Sequence, residues 1–317
     1  MITRPIASGD GSDHRNALAP ATASREAAEP KGAAMTSRTI AERRAAFRQL
    51  HESGCFVIPN PWDIGTTRYL QHLGFKALAT TSSGLSFSKG LPDTDWAVPR
   101  DMALEHIAEI VAATDLPVNA DYESGYAHDP EGVAFSVARC VETGVAGLSI
   151  EDSTGDPDKP LYDLALGVER IKAARAAIDA SGADVLLTGR AECYLVGHPD
   201  PMAESIRRLQ AYAEAGADVL YAPGPRKRED IRTLVQALAP KPVNLLMSSN
   251  TGLTVRDVED LGVRRISVGS SLARVAWTGF IRAADAIAKE GRFSGFDGSM
   301  SFADLNGFFR EDLKRRS

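Results

Sequence analysis

The sequence has few of the residues that mark several large protein classes. Its 317 residues include only three cysteines, Cys55, Cys140 and Cys193, widely spaced and without a CxxC pair. A disulfide framework, a zinc site and a dithiol couple are thereby excluded as organising features, and a reducing cytoplasm is the expected setting. Positive charge is not in excess either: 36 Lys and Arg stand against 42 Asp and Glu, for a net charge of −6. A nucleic acid or a membrane surface would call for a concentrated basic face, so neither is an expected partner, and a small molecule is. No apolar run reaches membrane-spanning length, and the N-terminus lacks the apolar stretch of a secretory signal. No GxGxxG follows the first candidate strand, which argues against an open dinucleotide-binding sheet.

What is present is an ordinary globular composition, 44% hydrophobic and 25% charged, with an uneven start. The first stretch is rich in Ala, Ser, Pro and charge and has no hydrophobic period. Such a segment buries too little apolar surface to offset the entropy of ordering it. Residues 1–37 are therefore expected to be a disordered extension, with Met35 a candidate natural start. From about residue 38 amphipathic helical stretches alternate with short, continuous apolar runs, the pattern of parallel strands covered on both faces. The runs are Cys55–Pro59, Ala77–Thr81, Pro117–Asp121, Gly147–Glu151, Val185–Arg190, Val219–Ala222, Pro242–Leu246 and Arg265–Val268.

Four of these runs follow a helix that ends in Gly, at Gly74, Gly144, Gly216 and Gly262, as a left-handed C-cap demands. Asp129-Pro130, Asp200-Pro201 and Thr254 read as helix starts. About eight strand–helix units without a long structureless break predict an α/β fold, a (β/α)8 TIM-type barrel over residues 38–290. Residues 291–317 read as a turn-rich stretch and a final helix appended to it.

Barrel enzymes place their chemistry at the carboxyl ends of the strands. The third run ends Asn119-Ala-Asp121-Tyr-Glu123-Ser-Gly125-Tyr126, and the fourth ends Ser149-Ile-Glu151-Asp152. Several carboxylates at one mouth repel one another unless a cation or protons lie among them. Oxygen-only donors favour a hard ion, Mg2+ or Mn2+. For Asp152 a structural salt bridge is as good a reading as a site role. Arg190, at the end of the fifth run, suits a planar two-bond grip on a substrate carboxylate, or neutralisation of the acids. The small-residue turn Thr80-Thr-Ser-Ser83-Gly84-Leu85 offers backbone N–H groups to an oxyanion, and Asp93 follows on a loop.

Together, Ser83-Gly84-Leu85, Gly90-Leu-Pro-Asp93, Asp121-x-Glu123-x-Gly125-Tyr126, Ile150-Glu151-Asp152 and Arg190-Ala-Glu192 resemble the phosphoenolpyruvate mutase/isocitrate lyase superfamily over Phe56–Ile287. The resemblance implies a barrel with a swapped C-terminal helix, a homotetramer or homodimer, a Mg2+ site and an α-oxo or 2-hydroxy carboxylic acid ligand. It further implies that Asp121, Glu123 and Glu151 hold the metal, largely through waters, that Arg190 grips the carboxylate, and that Ser83, Gly84 and Leu85 bind the oxo-acid oxygens. Asp93 matches the family's loop acid, and Asn244 stands where members often contact substrate.

One departure narrows the chemistry. Lyases of this superfamily resemble one another in a Lys-x-Cys-Gly-His loop after the fourth strand, whereas Ser153–Asp163 here contains no Cys and no His. The Lys and Asn of the mutase loop are not reproduced either, although Lys159 lies in this stretch. The expected chemistry is then C–C cleavage or decarboxylation of an oxaloacetate-like acid through a metal-stabilised enolate. P–C bond chemistry on phosphonopyruvate and binding without turnover are the alternatives. Tyr126, Asp93 and Glu192 are candidate bases. Cys193 reads better as a small buried hydrophobe, and His128 and His198 as loop histidines at helix starts. Val268-Gly269-Ser270-Ser271 reads as a tight turn or, in the alternative, a phosphate loop.

Overall fold

A computed structural model describes residues 38–94 and 96–316; the expectation for residues 1–37 lies outside the described residues. The strands are β1 (Phe56–Ile58), β2 (Leu78–Ala79), β3 (Val118–Asp121), β4 (Gly147–Glu151), β5 (Leu186–Arg190), β6 (Val219–Tyr221), β7 (Val243–Leu246) and β8 (Arg265–Ser267). The helices are α1 (Ile40–Leu50), α2 (Ile64–His72), α3 (Ser82–Ser88), α4 (Arg100–Ala112), α5 (Pro130–Glu142), α6 (Leu164–Ala180), α7 (Pro201–Glu214), α8 (Arg228–Leu238), α9 (Val255–Glu259), α10 (Ser271–Glu290) and α11 (Phe302–Arg316).

The strands form one parallel sheet in the order β1-β8-β7-β6-β5-β4-β3-β2. At the seam the Ala79 N–H donates to the Pro59 carbonyl at 3.1 Å and the Asn60 amide donates to the Thr80 carbonyl at 2.8 Å. The sheet is thus a nearly closed TIM-type barrel with helices alternating outside it.

The strands lie where the apolar runs put them, shortened by a residue or two at their ends. Residues with alternate spacing divide between two environments. Ala120, Leu148, Ile150, Leu187 and Leu220 face the helices and belong to the main apolar cluster. Their neighbours Asn119, Ser149, Thr188, Asn244 and Arg265 are buried and polar, where a TIM barrel ordinarily stacks branched aliphatic side chains. Below them, Phe47 of α1 packs with Phe56, Ile58, Ala77 and Leu186. Gly147 makes room for that plug, since a Cβ there would lie 2.7 Å from the Phe47 ring.

The helix punctuation is also physical. The carboxylates of Asp129 and Asp200 accept from the N–H groups of Gly132 and Ala203, and Thr254 forms a capping box with Asp257. Gly74, Gly144, Gly216 and Gly262 take φ values of 84°, 89°, 106° and 88°. One expectation is corrected: the residues after β2 are not an open turn but helix α3, because the Thr81 hydroxyl caps it by accepting from the Gly84 N–H at 3.2 Å.

After β8 the chain runs into α10, in which only Ala273 is buried, while Val275, Phe280 and Ile281 are at least half exposed. The closing helix α11 lies on α2, with Phe308 against Tyr69 at 5.1 Å and Asp312 4.0 Å from Arg68. No described helix is long and apolar enough to cross a membrane.

Candidate active site

A cavity of about 1170 Å³ opens at the carboxyl ends of the strands. Seven acidic residues line it: Asp93, Asp121, Glu123, Glu151 and Glu192 and, on the loop after β4, Asp156 and Asp163. Arg190 lies among them. Its Nη1 is 3.1 Å from both Asp121 Oδ1 and Glu151 Oε2, and its Nε donates to Glu192 Oε1 at 2.5 Å. Burial works against the guanidinium charge, but Glu151 and Glu192 outweigh that and hold it protonated far above its usual range.

The acids carry the complementary cost. Burial first, then the charges of Asp121 and Asp93, pushes Glu123 up to about 7 despite a hydrogen bond from Tyr126. Glu151 is raised well above the ordinary carboxylate range, again by burial and then by its acidic neighbours, against the pull of Arg190. Asp93 is raised by burial and by Asp121, although Ser83 donates to it. One guanidinium does not balance the acids around it, of which Glu192 is buried and Asp121, Glu123 and Glu151 are partly buried, and the surplus favours a cation. Among the described residues no three of these side chains converge closely enough to ligate one ion directly. An all-oxygen, anionic site with room for water fits Mg2+, which keeps several of its own waters.

The remaining sequence candidates distribute unevenly. Ser83 lines the cavity, and so does Ser82, which sequence reading passed over and whose N–H and hydroxyl reach Asp121 Oδ2 at 3.1 and 3.2 Å. The Gly84 and Leu85 N–H groups are already engaged by the Thr81 hydroxyl and carbonyl, so neither points at the cavity. Tyr126 stands behind Glu123, donating to Oε1 at 3.1 Å. Burial raises its hydroxyl far above the usual range. Glu123 and Tyr126 both adopt positive φ, 45° and 54°, so the turn after β3 holds its acid in a strained conformation.

Asn244 is on the cavity floor, its Nδ2 donating to Ser267 Oγ at 2.9 Å and its Oδ1 accepting from Arg265 Nε at 2.8 Å. Arg265 is buried without an acidic partner among the described residues, and burial pulls it down to about 9. Tyr221 also lines the cavity, its ring 5.2 Å from the Arg190 guanidinium carbon. The only advance signal for these two was their inward position on β8 and β6.

Other candidates lie away from the chemistry. Asp152 is sealed behind the wall by Arg208, Tyr212 and the Glu192 N–H. The Cys193 thiol is buried and pushed up to about 11 by that burial. The His198 Nδ1 accepts from the Asp200 N–H at 3.2 Å. In the turn after β8, the Val268 and Gly269 N–H groups donate to Asn60 Oδ1 at 3.0 and 2.9 Å, which leaves them unavailable to a phosphate.

A parallel barrel with a carboxylate-and-arginine mouth defines a class of enzyme scaffold, and comparison with known proteins places it more narrowly. Residues 47–288 match the phosphoenolpyruvate phosphomutase family model, and the chain belongs to the phosphoenolpyruvate mutase/isocitrate lyase superfamily. An uncharacterized protein of Mycobacterium tuberculosis is 34% identical over 227 residues, covering 71% of this chain and 82% of that one. An oxaloacetate decarboxylase of Paraburkholderia xenovorans is 28% identical over 243 residues, 73% of this chain and 76% of its own. The crystal structure of a lyase/mutase candidate from Burkholderia cenocepacia superimposes with a TM-score of 0.80 at 45% identity, covering 85% of this chain and 96% of that one.

Proposed function

We propose that this protein is a Mg2+-dependent carbon–carbon lyase of the decarboxylase kind, acting on a small α-oxo or 2-hydroxy acid resembling oxaloacetate. The observation that carries the reading is Arg190, fixed by Asp121, Glu151 and Glu192 at the centre of an acidic cavity. Asp121, Glu123 and Glu151 are the residues that would hold the metal, through waters. When bound, Mg2+ supplies a Lewis acid to the oxo and carboxylate oxygens.

The chain's own groups do the rest. The Arg190 guanidinium orients the carboxylate next to the oxo group. Ser82 and Ser83 present hydroxyls to the same space, and Asn244 and Arg265 form a polar floor beneath it. Cleavage of the bond to the second carboxylate leaves its electron pair on the substrate as an enolate, whose charge such fixed dipoles favour. Segment 153–163 carries neither Cys nor His, which disfavours an isocitrate-type cleavage with a cysteine acid. The similarity to an oxaloacetate decarboxylase supports the same choice.

We also infer a homodimer or homotetramer in which α10 packs on another copy, because its apolar side chains Val275, Phe280 and Ile281 are uncovered in a single chain. The test of function is a panel of oxaloacetate, phosphonopyruvate and methylisocitrate, with and without Mg2+, read for pyruvate, phosphate and CO2. Mg2+-dependent CO2 and pyruvate from oxaloacetate are expected. Phosphate release from phosphonopyruvate alone would sink the proposal in favour of P–C chemistry, and tight Mg2+-oxalate binding without turnover would make the protein a binder.

A further inference from the structure

An enolate needs a proton at carbon, and the acids nearest Arg190 have other assignments: Asp121, Glu123 and Glu151 to the metal, and Glu192 to its ion pair with Arg190. A separate pair of side chains lines the same cavity. The Tyr162 hydroxyl is 2.6 Å from His128 Nδ1. Tyr162 is 5% exposed, whereas His128 is exposed. A buried hydroxyl on the cavity wall is thus connected by one short hydrogen bond to an imidazole in contact with bulk water.

The pair is built rather than incidental. The Tyr162 backbone is held on both sides, its N–H donating to the Asp152 carbonyl at 3.0 Å and its carbonyl accepting from Arg208 at 2.9 Å. The Arg170 guanidinium carbon lies 4.0 Å from the Tyr162 ring centroid. The same Arg170 donates to the Ala127 and His128 carbonyls at 2.6 Å each, tying the loop after β3 to the loop after β4. The Trp96 ring lies 4.8 Å from that of His128, tilted by 39°, and its Nε1 donates to Ser124 Oγ at 3.0 Å. The hydroxyl and ring are therefore positioned mainly by backbone and ring-face contacts, with the Ser124 side chain also interacting with the Tyr162 hydroxyl.

We propose that Tyr162 is the proton donor to the enolate carbon and that His128 resupplies it from solvent. The inference rests on the enolate chemistry proposed above. After CO2 departs, the enolate C=C pair forms the new C–H bond with the Tyr162 O–H proton, and the C=O is restored. The Tyr162 oxygen takes the Nδ1 proton of the His128 imidazolium, leaving neutral imidazole. The ring regains a proton from water after product leaves. In reverse, the same groups exchange the methyl protons of pyruvate with solvent.

That exchange is the test: deuterium incorporation into pyruvate C3 in D2O with Mg2+, followed by NMR, beside calorimetric binding of oxalate with Mg2+. Tyr162→Phe keeps the ring on Arg170 and removes only the O–H. Its exchange is expected to fall by about 100-fold or more, the scale of one general acid, with oxalate affinity within about threefold of wild type. His128→Gln is expected to fall by about tenfold or more, and His128→Ala to recover with added imidazole, a rescue that a purely structural role would not give. Exchange by Tyr162→Phe at the wild-type rate, with oxalate bound, overturns the relay and leaves the proposed function standing. A wild type that binds no oxalate with Mg2+ and exchanges no proton overturns both.

Discussion

Glu151 and Asp152 are adjacent in sequence, yet they inhabit opposite chemical situations. Glu151 is the last residue of β4 and turns into the cavity, where it shares one guanidinium with Asp121 and Glu192. Asp152 turns away from the cavity and accepts from the Glu192 N–H at 2.8 Å, Arg208 at 3.1 Å and the Tyr212 hydroxyl at 2.8 Å. Alternation along the strand is what separates them. One carboxylate is left short of partners where a ligand can supply them, and the other is saturated so that the wall behind stays in place.

The largest break in this contrast is Asp152→Ala. Arg208 is only 6% exposed; burial disfavours its charge, and Asp152, Tyr212 and Glu204 together more than offset that. Removing the carboxylate leaves that guanidinium with Glu204, at 2.6 Å, as its ion partner and takes the acceptor from the Glu192 N–H and the Tyr212 hydroxyl, which costs about 3 kcal/mol, the low end for breaking a buried pair. Urea unfolding should show the loss equally with Mg2+ and with chelator. A loss under about 1 kcal/mol would mean that the network is dispensable.

Glu151→Gln should do the reverse. Wild-type protein is expected to gain about 2.7 kcal/mol when Mg2+ is raised to 100 times its dissociation constant. The variant should gain less than half of that. In chelator it should be at least as stable as wild type, because the change removes a charge that burial disfavours. An undiminished Mg2+ response in the variant would remove Glu151 from the metal site.

The contrast also shows what a sequence makes legible. Strands such as Gly147–Glu151 are visible because each is a short, mostly apolar run, with Leu148 and Ile150 here facing the helices, and their charged ends stand out against that background. Asp121, Glu151 and Arg190 were recognisable as strand-end charges and do meet in one cavity. Gly84 and Leu85 were misplaced because a single hydroxyl, that of Thr81, converts a turn into a helix, a local competition that composition does not resolve. Arg265 was hidden as the first residue of a strand run rather than a strand-end charge. Its neighbours Asn119, Thr188 and Asn244 come from three other strands, so only barrel closure shows that they form a polar layer. Tyr162 and His128 are 34 residues apart, and nothing local in either segment points to the other.

The smallest expected effect is in the pH dependence of stability, and it isolates the acids that lack partners. Glu123 has its folded-state pKa raised from 4.5 to about 7 by burial and by Asp121 and Asp93. Between those values the folded chain binds more protons at Glu123 than the unfolded chain does. By linkage this group therefore favours folding at low pH, and its contribution is lost as pH rises from about 4.5 to about 7. His51 runs the other way: burial lowers it to about 3, so its unfolded form takes up a proton below about 6.5 and stability falls with acid. The two slopes overlap, so the informative quantity is the difference between wild type and Glu123→Gln in chelator. That difference should favour wild type at pH 4.5 and shrink toward pH 7, with part of the effect screened by solvent because Glu123 is only partly buried. Saturating Mg2+ should abolish the trend by stabilising the ionised form. A pH-independent difference would place Glu123 with Asp152 among the satisfied acids and leave Asp121 and Glu151 as the carboxylates that await a cation.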